Sequence, residues 1–211
     1  MFFKIRNDNI NNGRTSSICF EKSKMITRGE QKMNLYHYFD KDLGPFKNLS
    51  ELSEKEAEAV MRKLSREKQD AFCNKRNSTY MKMRKYYEQI LRDEFQKKGG
   101  RMERFVPQYM VVEKCDFLES WYVNSDSIKI DIREFDLNTL SFTYGDSHPT
   151  FSDRVNDGKE YRKKLYLYDE ILEMIEKYGY PQEWNKDGKF GPERYIEVHV
   201  WSDETLKHYY R

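Results

Sequence analysis

The stretch Tyr195-Ile196-Glu197-Val198-His199-Val200-Trp201 alternates aliphatic side chains with polar or aromatic ones. Because successive side chains of a β-strand point to opposite faces, this period of two predicts a strand. The aliphatic members of the stretch should face the hydrophobic core. Glu197, His199 and Trp201 should share the other face, where we expect Glu197 and His199 to be the more exposed.

The same alternation recurs in the second half of the chain. It predicts strands around Tyr109–Val112, Ile128–Ile132 and Leu140–Tyr144. An aromatic run at 34–39 predicts a further strand near the beginning of the folded part. The later half of the chain is therefore expected to be mainly β-sheet.

Two segments in the first half have apolar residues at the three- and four-residue steps of amphipathic helices. Ser53 and Glu56 have the spacing of a capping box and predict the start of one helix. A second helix should begin near Tyr80 and end at Gly99-Gly100. We expect these two helices to pack on each other through their apolar faces. A third helix should end at Gly179.

Helices early and strands late, without regular β-α-β alternation, predict an α+β fold. We expect one domain with a mixed or antiparallel sheet, helices on one side, an N-terminal helical pair and one later helix. The length of 211 residues suits a single core. Residues 1–32 are rich in Asn, Ser, Lys and Arg and are predicted to be a disordered tail or upstream extension, which leaves 33–211 as the domain.

The overall charge gives no general attraction to nucleic acids or to anionic membranes, because 38 Lys and Arg face 36 Asp and Glu. The three cysteines are far apart and odd in number, which fits neither a disulfide framework nor a zinc site with paired ligands. No apolar run approaches membrane-spanning length, and Met1 is not followed by the apolar core of an export signal. We therefore expect a cytoplasmic protein that does not enter a membrane.

The run Gly145-Asp146-Ser147-His148 places residues of catalytic type directly after a predicted strand. It resembles the Gly-Asp-Ser block of lipase-like serine hydrolases, in which the serine is the nucleophile, but the late Asp-x-x-His of that family is missing. Asp146 and His148 also resemble the Asp-x-His of metallophosphatases, whose further downstream ligands are missing as well. We therefore predict a structural turn in which Asp146 or Ser147 bonds the backbone, and no metal site.

Polar residues on three predicted strands follow an order that resembles the ADP-ribosyltransferase fold. They are His37 in the first strand, Ser141 and Thr143 in a middle strand and Glu197 in the last. The resemblance implies NAD as the substrate, with His37 on the ribose and Glu197 as the catalytic carboxylate. It also implies that Thr143 or Tyr144 contacts the nicotinamide and that His199 belongs to the same cofactor site. The Glu-x-Glu or Gln-x-Glu signature of that family is missing from this sequence.

Residues 74–104 carry ten Lys or Arg against four acids, a local net charge of +6. Basic side chains interleaved with tyrosines suit a surface for single-stranded nucleic acid. The alternative function is thus a non-enzymatic nucleic-acid or protein-binding module that uses Lys82, Lys85 and Arg92. A further explanation is internal, because the acidic start of the first helix would pair with the basic second helix.

Residues 34–45, 141–157 and 191–203 together resemble segments of an uncharacterised bacterial protein family. That resemblance implies a bacterial origin and a cytoplasmic location, and it transfers no catalytic residue. The most specific functional prediction is therefore an ADP-ribosyltransferase-like domain that binds or cleaves NAD, with a small nucleotide as its ligand.

Overall fold

Five strands form one sheet in the computed structural model, which describes residues 32–69, 71 and 78–210. Except for Lys32, the predicted tail lies outside the described residues. Each strand falls on a segment in which the sequence predicted one. The strands are β1 (Asn34–Asp40), β2 (Gln108–Val112), β3 (Ser125–Asp131), β4 (Leu140–Thr143) and β5 (Glu197–Val200).

The paired strands of the described sheet are antiparallel throughout, in the order β3-β1-β2-β5-β4. Together with the helices, this sheet confirms the predicted α+β fold. Strand β5 lies inside the sheet, where Glu197 is opposite Val111 of β2 and Thr143 of β4. The register therefore places Glu197 on an inner strand next to the edge strand β4, close to the point where the chain leaves β4.

Six α-helices accompany the sheet in the part of the chain that the structure describes. They are α1 (Glu54–Glu67), α2 (Tyr80–Lys97), α3 (Asp116–Glu119), α4 (Ser147–Phe151), α5 (Tyr168–Tyr178) and α6 (Pro181–Trp184). The predicted capping box is confirmed, because Ser53 and Glu56 each accept a hydrogen bond from the other's backbone N–H. None of these described helices is long and apolar enough to cross a membrane.

The two faces of the sheet pack against different helices. On the first face, Ile196, Val198 and Val200 join α5 in the main core. On the second face, Trp201 packs against Phe95 of α2. The prediction of helices on one side was therefore wrong, because both faces carry large apolar side chains that need cover.

The apolar faces of α1 and α2 do not pack on each other as predicted. Helix α1 buries only Ala57, whereas α2 turns Tyr87, Leu91 and Phe95 toward the sheet. Burial stabilises in proportion to the apolar area removed from water, and the aromatic second face of the sheet offers α2 more area than the short stripe of α1.

The strand register of the C-terminal stretch is confirmed, but the expected exposure of its polar residues is wrong. Glu197 is 6% exposed and His199 is fully buried. Both side chains lie on the predicted second face. They are buried because α2 and α4 cover that part of the face, which the local alternation does not indicate.

Candidate functional site: a tyrosine-lined cavity

A cavity of about 780 Å³ lies on the second face of the sheet. The cavity lies between two apolar clusters, one around α2 and a smaller one around α3. Glu197 is part of the cavity wall. Eight tyrosines and Trp121 line it. The tyrosines are Tyr36, Tyr38, Tyr80, Tyr86, Tyr87, Tyr109, Tyr122 and Tyr195. Because they come from several separate elements, the tertiary fold rather than one motif creates this aromatic wall.

Glu197 presents a carboxylate that three hydrogen-bond donors hold in place. Its Oε1 accepts from Ser147 Oγ at 2.9 Å and from His199 Nε2 at 3.0 Å. Its Oε2 accepts from the backbone N–H of Ser147 at 3.2 Å. These charge-assisted bonds replace water around a nearly buried charge and fix the direction of the carboxylate.

A chain of hydrogen bonds behind Glu197 orients His199. Trp201 Nε1 donates to Ser141 Oγ at 2.9 Å, and Ser141 Oγ lies 3.1 Å from His199 Nδ1. His199 is thus held from both sides, by the Glu197 carboxylate at Nε2 and by the Ser141 hydroxyl at Nδ1. Ser141, His199 and Glu197 thus connect like a Ser-His-acid triad, but Ser141 is fully buried and lies outside the cavity wall. The group presented to a ligand is therefore Glu197 and not a nucleophilic serine.

The predicted turn after β4 meets Glu197 at the same wall. Asp146 caps α4 and accepts from the His148 N–H at 2.8 Å, as expected for a structural turn. The Tyr195 hydroxyl donates to the second oxygen of Asp146 at 2.7 Å. Burial, together with the charge of Glu197, raises the pKa of Asp146 to about 6. The turn therefore also brings Asp146 and Ser147 to the cavity.

Arg84 of α2 lines the cavity wall and forms an ion pair with the buried Glu88. Glu88 is 4% exposed, and its Oε1 accepts from Arg84 Nε and from the Tyr109 hydroxyl, each at 3.0 Å. Arg84 also donates to the Tyr80 hydroxyl and to Asn48 Oδ1, each at 3.0 Å. This pair was not predicted from the sequence, where Arg84 and Glu88 were only two of the charges counted in residues 74–104. Their i,i+4 spacing beside the apolar stripe of α2 is the signal that would have indicated a buried pair.

His37 lines the cavity, but both of its ring nitrogens bond backbone groups. Nδ1 donates to the Tyr109 carbonyl and Nε2 accepts from the Phe46 N–H, each at 2.9 Å. Burial lowers the pKa of His37 to about 4, so the ring is neutral near pH 7. The imidazole holds the loop after β1 against β2, and neither nitrogen is left for a ligand.

No family model, curated protein or solved structure matches this chain. Among the described residues, no group of three or more His, Cys, Asp or Glu side chains is placed to hold a metal ion.

The other residues predicted to contact NAD lie away from the cavity wall. Thr143 is buried and donates its hydroxyl to a backbone carbonyl two residues further on. Tyr144 lies in the main core on the opposite face of the sheet. His199 is buried behind Glu197. The fold thus brings Glu197 and His37 to one cavity and leaves the other three outside its wall.

Much of the positive charge in the basic segment is balanced within the fold. Arg92 donates to the backbone carbonyls of Arg104 and Phe105, and Lys82 and Lys85 are exposed on α2. Five other basic residues pair with carboxylates, namely Arg84, Lys97, Lys98, Arg101 and Arg104. Of the acidic start of the first helix, Glu51 is the one described residue that pairs with this segment, through Arg104.

Proposed function

We propose that the cavity binds NAD or a closely related nucleotide and that Glu197 promotes cleavage of its N-glycosidic bond, as in an NAD glycohydrolase or ADP-ribosyltransferase. The observation that carries the proposal is the nearly buried Glu197 carboxylate, which three donors hold at the wall of a large aromatic cavity. We further propose a bacterial, cytoplasmic setting for this activity.

The chemistry of the bond fits a fixed carboxylate. When nicotinamide leaves the ribose of NAD, positive charge develops on C1′ and on the ring oxygen. A preorganised negative group in a site with little water stabilises that charge more in the transition state than in the bound substrate. Because Ser147 and His199 already orient the Glu197 carboxylate, little reorganisation is needed at the moment of reaction.

The walls supply binding groups for the rest of a dinucleotide. The tyrosine rings offer faces for stacking of the nicotinamide and adenine rings. Lys47 and Arg154 also line the cavity, are exposed, and pair with no carboxylate among the described residues, so they are suited to the diphosphate. A volume of about 780 Å³ lies within the range of small-molecule sites. In this proposal His37 shapes the wall and does not hold the ribose.

The test is NAD consumption by the purified chain, with water and with a panel of acceptor amines and alcohols. We expect turnover by the wild type and a loss of about 100-fold or more in kcat for Glu197→Gln, the scale seen when one preorganised transition-state group is removed. Glu176→Gln, an exposed carboxylate on α5, is the matched control and should leave kcat unchanged.

NAD binding is measured separately by calorimetry, because a carboxylate that acts mainly in the transition state should affect kcat more than affinity. Absence of NAD consumption by the wild type would refute the proposal, whether or not NAD binds. Salt-dependent binding of single-stranded nucleic acid, lost on reversal of Lys82 and Lys85, would then support the alternative function.

A further inference from the structure

We infer that Asp146 is a second catalytic carboxylate, which takes the proton from the nucleophile that replaces nicotinamide. This inference rests on the proposed function. It names the group that activates water or an acceptor hydroxyl, whereas the proposed function needs only a carboxylate that stabilises positive charge.

The geometry links Asp146 to Glu197 through two reciprocal bridges. Tyr195, two residues before Glu197, donates to Asp146, and Ser147, the residue after Asp146, donates to Glu197 through both its hydroxyl and its backbone N–H. Both carboxylates line the same cavity. They are therefore held as neighbours by the ends of β5 and α4 and not by flexible side chains alone.

The balance of the reaction shows why a base is useful beside Glu197. As the C1′–N bond breaks, its electron pair leaves with nicotinamide, which becomes neutral and needs no proton. As the new C1′–O bond forms, water or an alcohol must lose one proton. Asp146 receives this proton and passes it to solvent, so no oxidant, reductant or further reactant is required.

The groups that face Asp146 are consistent with a base that works near neutral pH. Burial and the charge of Glu197 favour the protonated carboxyl, whereas the Tyr195 hydroxyl, the His148 N–H and the charge of Arg84 favour the carboxylate. Together these opposing effects leave Asp146 ionised at pH 7 and still basic enough to accept a proton.

The experiment compares hydrolysis of NAD with its cleavage by azide, an anionic nucleophile that has no proton to lose. Asp146→Asn should lower the rate of hydrolysis by about 100-fold, and azide should restore NAD cleavage with formation of the ribosyl azide. Azide should not rescue Glu197→Gln, because that variant lacks the group that stabilises the positive charge. Asn is as good a helix cap as Asp, so the turn should survive the substitution.

Asp136→Asn is the matched control. Asp136 also caps a short helix by accepting from the N–H two residues on, and it lies outside the cavity wall, so its hydrolysis rate should equal that of the wild type. If Asp146→Asn does not fold, the pH profiles of the wild type test the inference. The rate of NAD hydrolysis should decline below about pH 6, the pKa of Asp146, and the rate of cleavage by azide should not.

Wild-type rates and an unchanged acid limb in Asp146→Asn would overturn the inference and leave the proposed function standing. A slow variant that azide does not rescue would also overturn it, because the loss would then be structural or purely electrostatic. A wild type that consumes no NAD would remove the proposed function and this inference together.

Discussion

Replacing Glu197 by Gln should destabilise the fold measurably, because the side chain is part of a buried network. The carboxylate accepts from Ser147 Oγ, Ser147 N and His199 Nε2. A glutamine keeps one acceptor oxygen and turns an NH₂ group toward one of these donors. Loss of one hydrogen bond to a charged group, with its donor left buried, costs roughly 1–3 kcal/mol.

The cost should depend on pH because Asp146 is a neighbouring carboxyl with a pKa of about 6. At pH 8 Asp146 is ionised, and removal of the Glu197 charge relieves a repulsion that partly offsets the lost hydrogen bond. At pH 5 Asp146 is mostly protonated, so there is little repulsion to relieve. The destabilisation by Glu197→Gln should therefore be larger at pH 5 than at pH 8.

Urea unfolding followed by circular dichroism at both pH values measures this difference. The loss corresponds to a fall in melting temperature of roughly 2–12 °C for a domain of this size. Glu176→Gln, in which the replaced carboxylate is exposed on α5, should stay within about 0.5 kcal/mol of the wild type.

A double-mutant cycle locates the effect. Ser147→Ala and Glu197→Gln should be non-additive by roughly 0.5–3 kcal/mol, because their side chains bond each other directly. If Glu197→Gln is as neutral as the Glu176 control at both pH values, or if the cycle is additive, the described network does not hold the carboxylate and the reasoning fails.

Two further predictions concern stability. The pKa of His37 is about 4 in the fold and about 6.5 in an unfolded chain, so neutral His37 contributes fully to stability above pH 6.5 and this contribution, up to about 3 kcal/mol, is lost as the pH falls toward 4. His37→Gln should therefore flatten the fall in urea stability between these pH values. An equally steep fall in the variant would contradict the assignment. Arg84→Met leaves Glu88 buried without its cationic partner and should lower the free energy of unfolding in urea by about 3–5 kcal/mol. The double variant Arg84→Met with Glu88→Leu should recover much of that loss. A double variant no more stable than the single one would show that the charge of Glu88 is not the cause.

The strands and the face of each side chain were predictable from local sequence. The period of two requires Ile196, Val198 and Val200 to share one face, and the core confirms it. The burial of Glu197 and His199 was not predictable in the same way. It depends on α2, more than a hundred residues earlier in the chain, and the local pattern of a strand contains no information on what covers its second face.

The ion pair on α2 shows that the local pattern of a helix, like that of a strand, does not indicate what covers its charged residues. Opposite charges at i,i+4 are usually a solvated pair worth a few tenths of a kcal/mol, so the spacing of Arg84 and Glu88 does not by itself predict that they are buried. Arg84 lines the cavity wall, and Glu88 lies buried beside it, where it accepts from the Tyr109 hydroxyl of β2. His37 is a comparable case, because its partners are backbone groups of Phe46 and Tyr109 that no side-chain pattern indicates.

The turn after β4 lies next to the C-terminal strand β5 because of the way these two strands pair. Strand β4 pairs antiparallel with β5, and Thr143, its last residue, is opposite Glu197. The chain that leaves β4 therefore passes beside Glu197 and carries Asp146 and Ser147 there within four residues. A shift of β5 by one residue would turn Glu197 into the apolar core under α5, where a charge without donors is strongly unfavourable. The same register that buries Ile196 and Val198 thus assembles the two carboxylates, so any variant that weakens β4–β5 pairing should affect the fold and the site together.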